Sequence, residues 1–140
     1  MKKLLIVNGP NLNLLGEREP EIYGRHTMDD CLAQLRRQFP QAEFDYYQSN
    51  VEGELINRLQ QTLTDGTEGI LLNAGGYTHT SVAIHDCLRA LRVPVVEVHL
   101  SNPQAREPFR QTSLIGPACV GTVAGFGMQS YLLAAQALLS

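Results

Sequence analysis

A chain of 140 residues is near the modal length of one domain and long enough to bury a proper core. A formal net charge of -3 leaves no basic footprint for nucleic acid, and no apolar run approaches the ~20 residues of a membrane span. Cys31, Cys87 and Cys119 are scattered and include no Cys-x-x-Cys pair, which argues against a metal or disulfide framework; the only lysines, Lys2 and Lys3, leave no Schiff-base amine in the body of the chain.

Leu4–Val7 reads as the first strand, apolar throughout, as in a sheet covered on both faces. Its apolar core is too short for a signal peptide, so a cytoplasmic protein is expected, with residues 1–140 as a single catalytic domain. The stretch Asn8–Gly24 follows. Its glycines and prolines oppose a regular helix or strand, while Leu12, Leu14, Leu15 and Ile22 oppose disorder. An ordered or semi-ordered lid carrying ligand-binding groups is the expectation. Thr27 and Asp30 form a capping box for a helix running to about Phe39, with Leu32, Leu35 and Phe39 on one stripe. Glu43–Gln48 is a second strand with the alternation of a sheet edge. Asn50 is expected to cap a helix to about Leu63, with Leu55, Ile56, Leu59 and Leu63 inward.

Gly69–Asn73 is a third strand, followed by the Gly75-Gly76 turn and a helix from about Ser81 to Leu91. Val93–Val98 is a fourth strand, Ala118–Ala124 a fifth, and Met128–Leu139 a last helix; a short helix around Ala105–Gln111 is limited by Pro108. Short apolar strands alternating with helices predict a flavodoxin-like, doubly wound five-stranded parallel sheet of order 2-1-3-4-5, in three α/β/α layers. Ligands bind such sheets outside the carboxyl ends of the strands, near the switch point between strands one and three.

Polar residues gather at that edge. Strand one ends in Asn8, strand three in Asn73, and strand four in His99, followed by Leu100, Ser101 and Asn102. Each residue alone has an ordinary structural use; their convergence on one edge points to a site. His79 and Asp86 lie seven residues apart, about two turns along one helix face, and read equally as ligand groups or as a helix-end histidine and a solvated aspartate. His85 beside Asp86 points elsewhere and, like His26, reads as surface. The Gly75-Gly76 turn could cradle a phosphate or a carboxylate with backbone amides, but no phosphate-loop or dinucleotide fingerprint accompanies it. Tyr23 is either a loop anchor or a base. As a base near neutral pH it needs cationic neighbours, and Arg18, Arg25, Arg106 and Arg110 are the candidates. Arginines in a lidded pocket also suit an acidic substrate.

The motifs together resemble type II 3-dehydroquinate dehydratase along nearly the whole chain. They are Asn8-Gly9-Pro10-Asn11-Leu12 through Arg18-Glu19-Pro20 and Tyr23-Gly24; Asn73-Ala74-Gly75-Gly76 with Thr78-His79-Thr80-Ser81; Glu97-Val98-His99 with Ser101-Asn102; Ala105-Arg106-Glu107 with Phe109-Arg110; and Gly125-Phe126-Gly127. The resemblance implies dehydration of 3-dehydroquinate to 3-dehydroshikimate by anti elimination through an enolate, in aromatic biosynthesis or quinate breakdown. It implies Tyr23 as the base, Arg18 as its activator, Asn11 as the holder of an enolate-stabilising water, and His99 as the general acid, oriented by Glu97. It further implies that Asn73, His79 and Asp86 hold substrate hydroxyls. Leu100 and Ser101 would bind the carboxylate through backbone amides, Arg110 the far hydroxyl, and Arg106 would help close the lid. No cofactor or metal is implied, and the expected assembly is a homododecamer, a tetramer of trimers.

Departures from the family pattern are few. Glu17 puts a negative charge beside Arg18, His85 stands where an arginine is frequent, and Met128-Gln129-Ser130-Tyr131 is poorer in glycine than usual. The other readings weighed are a different lyase or hydrolase using His79 and His99, and a receiver-like or flavin-binding module. A receiver needs acidic residues after strand one and a late-strand lysine, both lacking here; a flavin module would purify yellow.

Overall fold

The apolar run near the N-terminus lies at the centre of a parallel sheet. The computed structural model describes residues 1–140. Its strands are β1 (Lys2–Asn8), β2 (Ala42–Gln48), β3 (Gly69–Asn73), β4 (Val95–His99) and β5 (Gly121–Ala124). Its α-helices are α1 (Pro20–Tyr23), α2 (Met28–Gln38), α3 (Glu52–Gln61), α4 (Val82–Ala90) and α5 (Gln129–Leu139). The strand order is β2-β1-β3-β4-β5 with every neighbour parallel, the flavodoxin-like order expected from the sequence.

Successive strand side chains point to opposite faces, so a strand covered on both sides must be apolar at every position. Leu4 and Ile6 enter one core with Leu71 and Val98, while Leu5 and Val7 enter the other with Ile70 and Leu72. The stripes of α2 and α5 close the first core through Leu32, Leu35, Leu132 and Leu138. Those of α3 and α4 close the second through Leu55, Leu59, Ile84 and Leu88. Full burial of one such leucine contributes about 1.5–3 kcal/mol.

Register brings the strand ends together. Asn8 stands opposite Gln48 on one side and Asn73 on the other, and His99 opposite Ala124. The loops leaving β1 and β3 pack closely: Gly9 N–H donates to Asn73 O at 2.7 Å. A Cβ at Gly9 would lie 2.4 Å from the Ala74 carbonyl oxygen, so only glycine lets these backbones meet.

Several local expectations need correction. Asn50 does not cap α3: the Ser49 hydroxyl accepts the Val51 N–H at 3.0 Å, and the Asn50 side chain turns to the loop after β1. β4 begins at Val95 rather than Val93, because Pro94 has no N–H to give the ladder. β5 begins at Gly121 rather than Ala118, since Gly116–Ala118 coil into a 3-10 turn around Pro117. The segment expected as one helix over Ala105–Gln111 resolves into two 3-10 turns, Pro103–Ala105 and Pro108–Arg110, each opened by a proline. The lid also holds helix: a 3-10 turn at Leu12–Leu14 and the single α-turn of α1. Pro20 fits there because the first helical position needs no N–H, and Gly24 at φ 83 ends the turn. The Thr27–Asp30 capping box of α2 forms as expected.

Candidate active site

Beyond the carboxyl ends of β1, β3 and β4 lies a cavity of about 110 Å³. The lid supplies Asn11, Arg18 and Tyr23; the end of β3 supplies Asn73 and, after the glycine turn, His79. The end of β4 supplies His99, Leu100 and Ser101, and the following loop Arg106 and Arg110. Nine of the ten residues singled out in the sequence therefore line one cavity: Asn11, Arg18, Tyr23, Asn73, His79, His99, Leu100, Ser101 and Arg110. Asp86 does not. Its side chain is 72% exposed on α4, outside the cavity, with its carboxylate 3.2 Å from His85 Nδ1. His85 thus faces Asp86 rather than pointing away from it.

Tyr23 is 8% exposed. The Arg18 guanidinium carbon lies 4.6 Å from its ring centroid and that of Arg106 5.2 Å, so two cations flank the phenol ring. Arg106, expected both as a cationic neighbour of Tyr23 and to help close the lid, packs on Tyr23 and donates to the Ser101 hydroxyl at 3.1 Å. Arg25 does not reach the cavity. Glu17 is exposed, which leaves its charge screened by solvent. Glu107 accepts from Arg110 Nε at 3.1 Å and lies 3.8 Å from Arg106 Nε, which sets the pose of both.

Asn11 adopts φ 69, a left-handed conformation that asparagine tolerates better than most residues. Its N–H donates to Asn50 Oδ1 at 3.0 Å. Gln48 Nε2 donates to the same oxygen at 3.1 Å and to Gly9 O at 3.1 Å. The edge strand thus clamps the backbone that carries Asn11.

His99 Nε2 donates to Glu97 Oε2 at 2.6 Å, which leaves Nδ1 as the free ring nitrogen. Glu97 is 2% exposed, yet its carboxylate is fully used: Ser113 donates at 2.8 Å and Thr122 at 3.0 Å. Burial opposes its ionisation, but the bonds from His99, Ser113 and Thr122 outweigh it and hold the carboxyl below its usual range. His79 Nδ1 donates to Thr112 O at 2.8 Å, which turns Nε2 free for a ligand. Neither the Leu100 nor the Ser101 backbone N–H donates to another protein group, so two adjacent donors stand open beside His99.

The supporting residues were less visible in sequence than the lining ones. Ser113, Thr122 and Gln48 touch no expected ligand and follow no motif, and Asn50 carried only a helix-cap pattern. One signal was available: a carboxylate at Glu97 within the apolar strand Val95-Val96-Glu97-Val98 demands buried donors somewhere.

Residues 2–139 match the family model described as Dehydroquinase class II. A 3-dehydroquinate dehydratase of Fusobacterium nucleatum subsp. nucleatum is 50% identical over 137 residues, covering 94% of this chain and 92% of that protein. One from Caldicellulosiruptor saccharolyticus is 48% identical over 140 residues, covering 99% of this chain and 97% of its own. The crystal structure of a type II dehydroquinase from Butyrivibrio crossotus superposes with a TM-score of 0.96 at 40% identity, covering 99% of this chain and 98% of that one.

Proposed function

The chain belongs to the dehydroquinase class II family, a family of hydro-lyases, and we propose how its own residues carry 3-dehydroquinate to 3-dehydroshikimate. Tyr23, as phenolate, removes the proton from the carbon beside the ketone, and the electron pair moves onto the ketone oxygen as an enolate. Arg18 and Arg106 set two positive charges over the ring. Asn11 holds a water against the enolate oxygen. The enolate then collapses, the carbon–oxygen bond to the leaving hydroxyl breaks on the opposite face, and His99 Nδ1 protonates it. One C=C bond forms and one water leaves.

Binding is divided along the same lines. The open N–H groups of Leu100 and Ser101 take the substrate carboxylate, and Asn73, His79 Nε2 and Arg110 take hydroxyls. The observation that carries the proposal is one cavity lined by a cation-flanked tyrosine and a histidine backed by a buried carboxylate. Incubating pure protein with 3-dehydroquinate and following enone absorbance tests it: turnover is expected, and none would remove the proposal.

We further propose a single catalytic domain that works in the cytoplasm as a homododecamer. Val82 is 62% exposed, Val120 70% and Phe126 62%, apolar surface that an assembly would cover. Asp86, exposed and outside its own cavity, is then available to the cavity of a neighbouring copy, the role we assign it. Light scattering tests the mass, and a monomer would overturn this part. No helix is long and apolar enough to cross a membrane.

A further inference from the structure

Tyr131 is the one aromatic residue of α5 and is fully buried at 0% exposed. A phenylalanine would fill that core volume equally well, so the hydroxyl calls for a reason. It lies between the carboxamides of Asn8 and Asn73, which stand opposite one another where β1 and β3 end. The direction of each hydrogen bond follows from one fixed donor. The Gly75 N–H can only donate, and it meets Asn73 Oδ1 at 3.3 Å. Asn73 Nδ2 therefore faces the Tyr131 oxygen, donating at 3.0 Å. The Tyr131 hydroxyl donates onward to Asn8 Oδ1 at 2.7 Å, and Asn8 Nδ2 to the Tyr46 oxygen at 3.4 Å.

The relay has one polarity. Burial raises the Tyr131 phenol far above the ordinary tyrosine range, so it stays protonated and keeps that polarity. Asn73 uses one Nδ2 hydrogen on Tyr131, the second meets no other protein group, and the residue lines the cavity. Without the phenol oxygen, only the single bond from Gly75 would oppose a flip of the carboxamide, which would turn its carbonyl to the ligand.

We propose that Tyr131 is a positioning residue for substrate binding: it locks the Asn73 carboxamide so that an N–H donor, never the carbonyl, meets the substrate. The cavity then selects an oxygen that accepts at this point. The inference rests on the dehydratase reading above and adds the residue that sets the polarity of one of its contacts.

The test is a double-substitution cycle with Tyr131→Phe and Asn73→Ala, assayed by enone absorbance well below each variant's melting temperature. Tyr131→Phe is expected to raise KM about tenfold, the loss of one oriented hydrogen bond to the ligand, with kcat and its pH profile unchanged. In the Asn73→Ala background the same substitution should leave KM where Asn73→Ala alone puts it. An unchanged KM in Tyr131→Phe, or KM effects that multiply in the double variant, would overturn the role. A general loosening of the core would multiply in this way, because it does not act through Asn73. Should Tyr131→Phe fail to fold, wild-type protein labelled with [15N]asparagine carries the test. The Asn73 side-chain NH2, assigned by its loss in Asn73→Ala, should show one proton protected from exchange in the free protein and both with product bound. Rapid exchange of both throughout would overturn the role. Absence of turnover by the wild-type chain would remove the dehydratase reading itself, and this role with it.

Discussion

Glu97→Gln removes one charge and almost no volume from the buried position behind His99. The wild-type carboxylate accepts from His99 Nε2 at 2.6 Å, Ser113 at 2.8 Å and Thr122 at 3.0 Å. His99 and Ser113 share Oε2, whereas Thr122 alone uses Oε1. A glutamine can keep its oxygen toward His99 and Ser113 and offer its NH2 to the Thr122 hydroxyl, which rotates to accept. Packing and hydrogen-bond count survive, so folding should lose little. His99, the proposed acid, loses more. A hydrogen bond to a charged group contributes about 1.5–3 kcal/mol and a neutral one about 0.5–1.5 kcal/mol, a difference of roughly 1–1.5 kcal/mol. Loss of the remaining Coulomb attraction adds to this, and each ~1.4 kcal/mol is tenfold in rate. The expected result is a kcat lower by about 10–100-fold, with a melting temperature near that of wild type. His99→Ala, which removes the proposed acid itself, should lose about 10²–10⁴-fold. Initial rates by enone absorbance beside a thermal melt make the measurement. Wild-type kcat in Glu97→Gln would refute the reasoning. A kcat loss accompanied by collapse of the melting temperature would also refute it, because Glu97 would then be holding the fold rather than the acid.

Two further outcomes follow from the same geometry. Asn50→Ala removes the oxygen that accepts the Asn11 N–H; kcat should fall by about tenfold, consistent with one lost hydrogen bond, with little change in melting temperature, and unchanged kcat would show that Asn11 holds its left-handed pose unaided. Acid should unfold the protein partly through Glu97 and Asp65, whose folded carboxyls sit below their ordinary 4.5 and 3.8. The unfolded chain then binds protons first as pH falls, so their stabilisation is complete above about pH 4.5 and is lost through the depressed folded values. Urea midpoints between pH 6 and 3 should fall less steeply for Glu97→Gln than for wild type, and equal slopes would contradict the assignment.

The fold was legible because its physics is local and repetitive. A strand apolar at every position announces a doubly covered sheet, as Leu4–Val7 does, and the Thr27–Asp30 box announces a helix start without any tertiary information. The lining residues were legible because topology sends the ends of β1, β3 and β4 to one edge. Proline effects at Pro94, Pro108 and Pro117 moved element boundaries through backbone chemistry that apolar patterning does not register. Asn50 illustrates a deeper limit. Its helix-cap pattern was sound, but a tertiary donor, the Asn11 N–H, competed for the same oxygen and won. Asp86 shows another: His79 ends the 3-10 turn Gly75–His79 while Asp86 sits on α4, so the seven-residue spacing did not place the two on one helix face. Ser113 and Thr122 were invisible because they serve a buried carboxylate 16 and 25 residues away in sequence.

The central claim is that a tyrosine on the lid takes the proton while a histidine on the sheet edge releases the hydroxyl. Tyr23→Phe tests it most directly, because the ring keeps its contacts with Arg18 and Arg106 and only the hydroxyl is lost. Turnover of 3-dehydroquinate should fall by about 10²–10⁴-fold, while titration calorimetry still shows the substrate bound. Near-wild-type turnover by Tyr23→Phe would place the base elsewhere and contradict the mechanism.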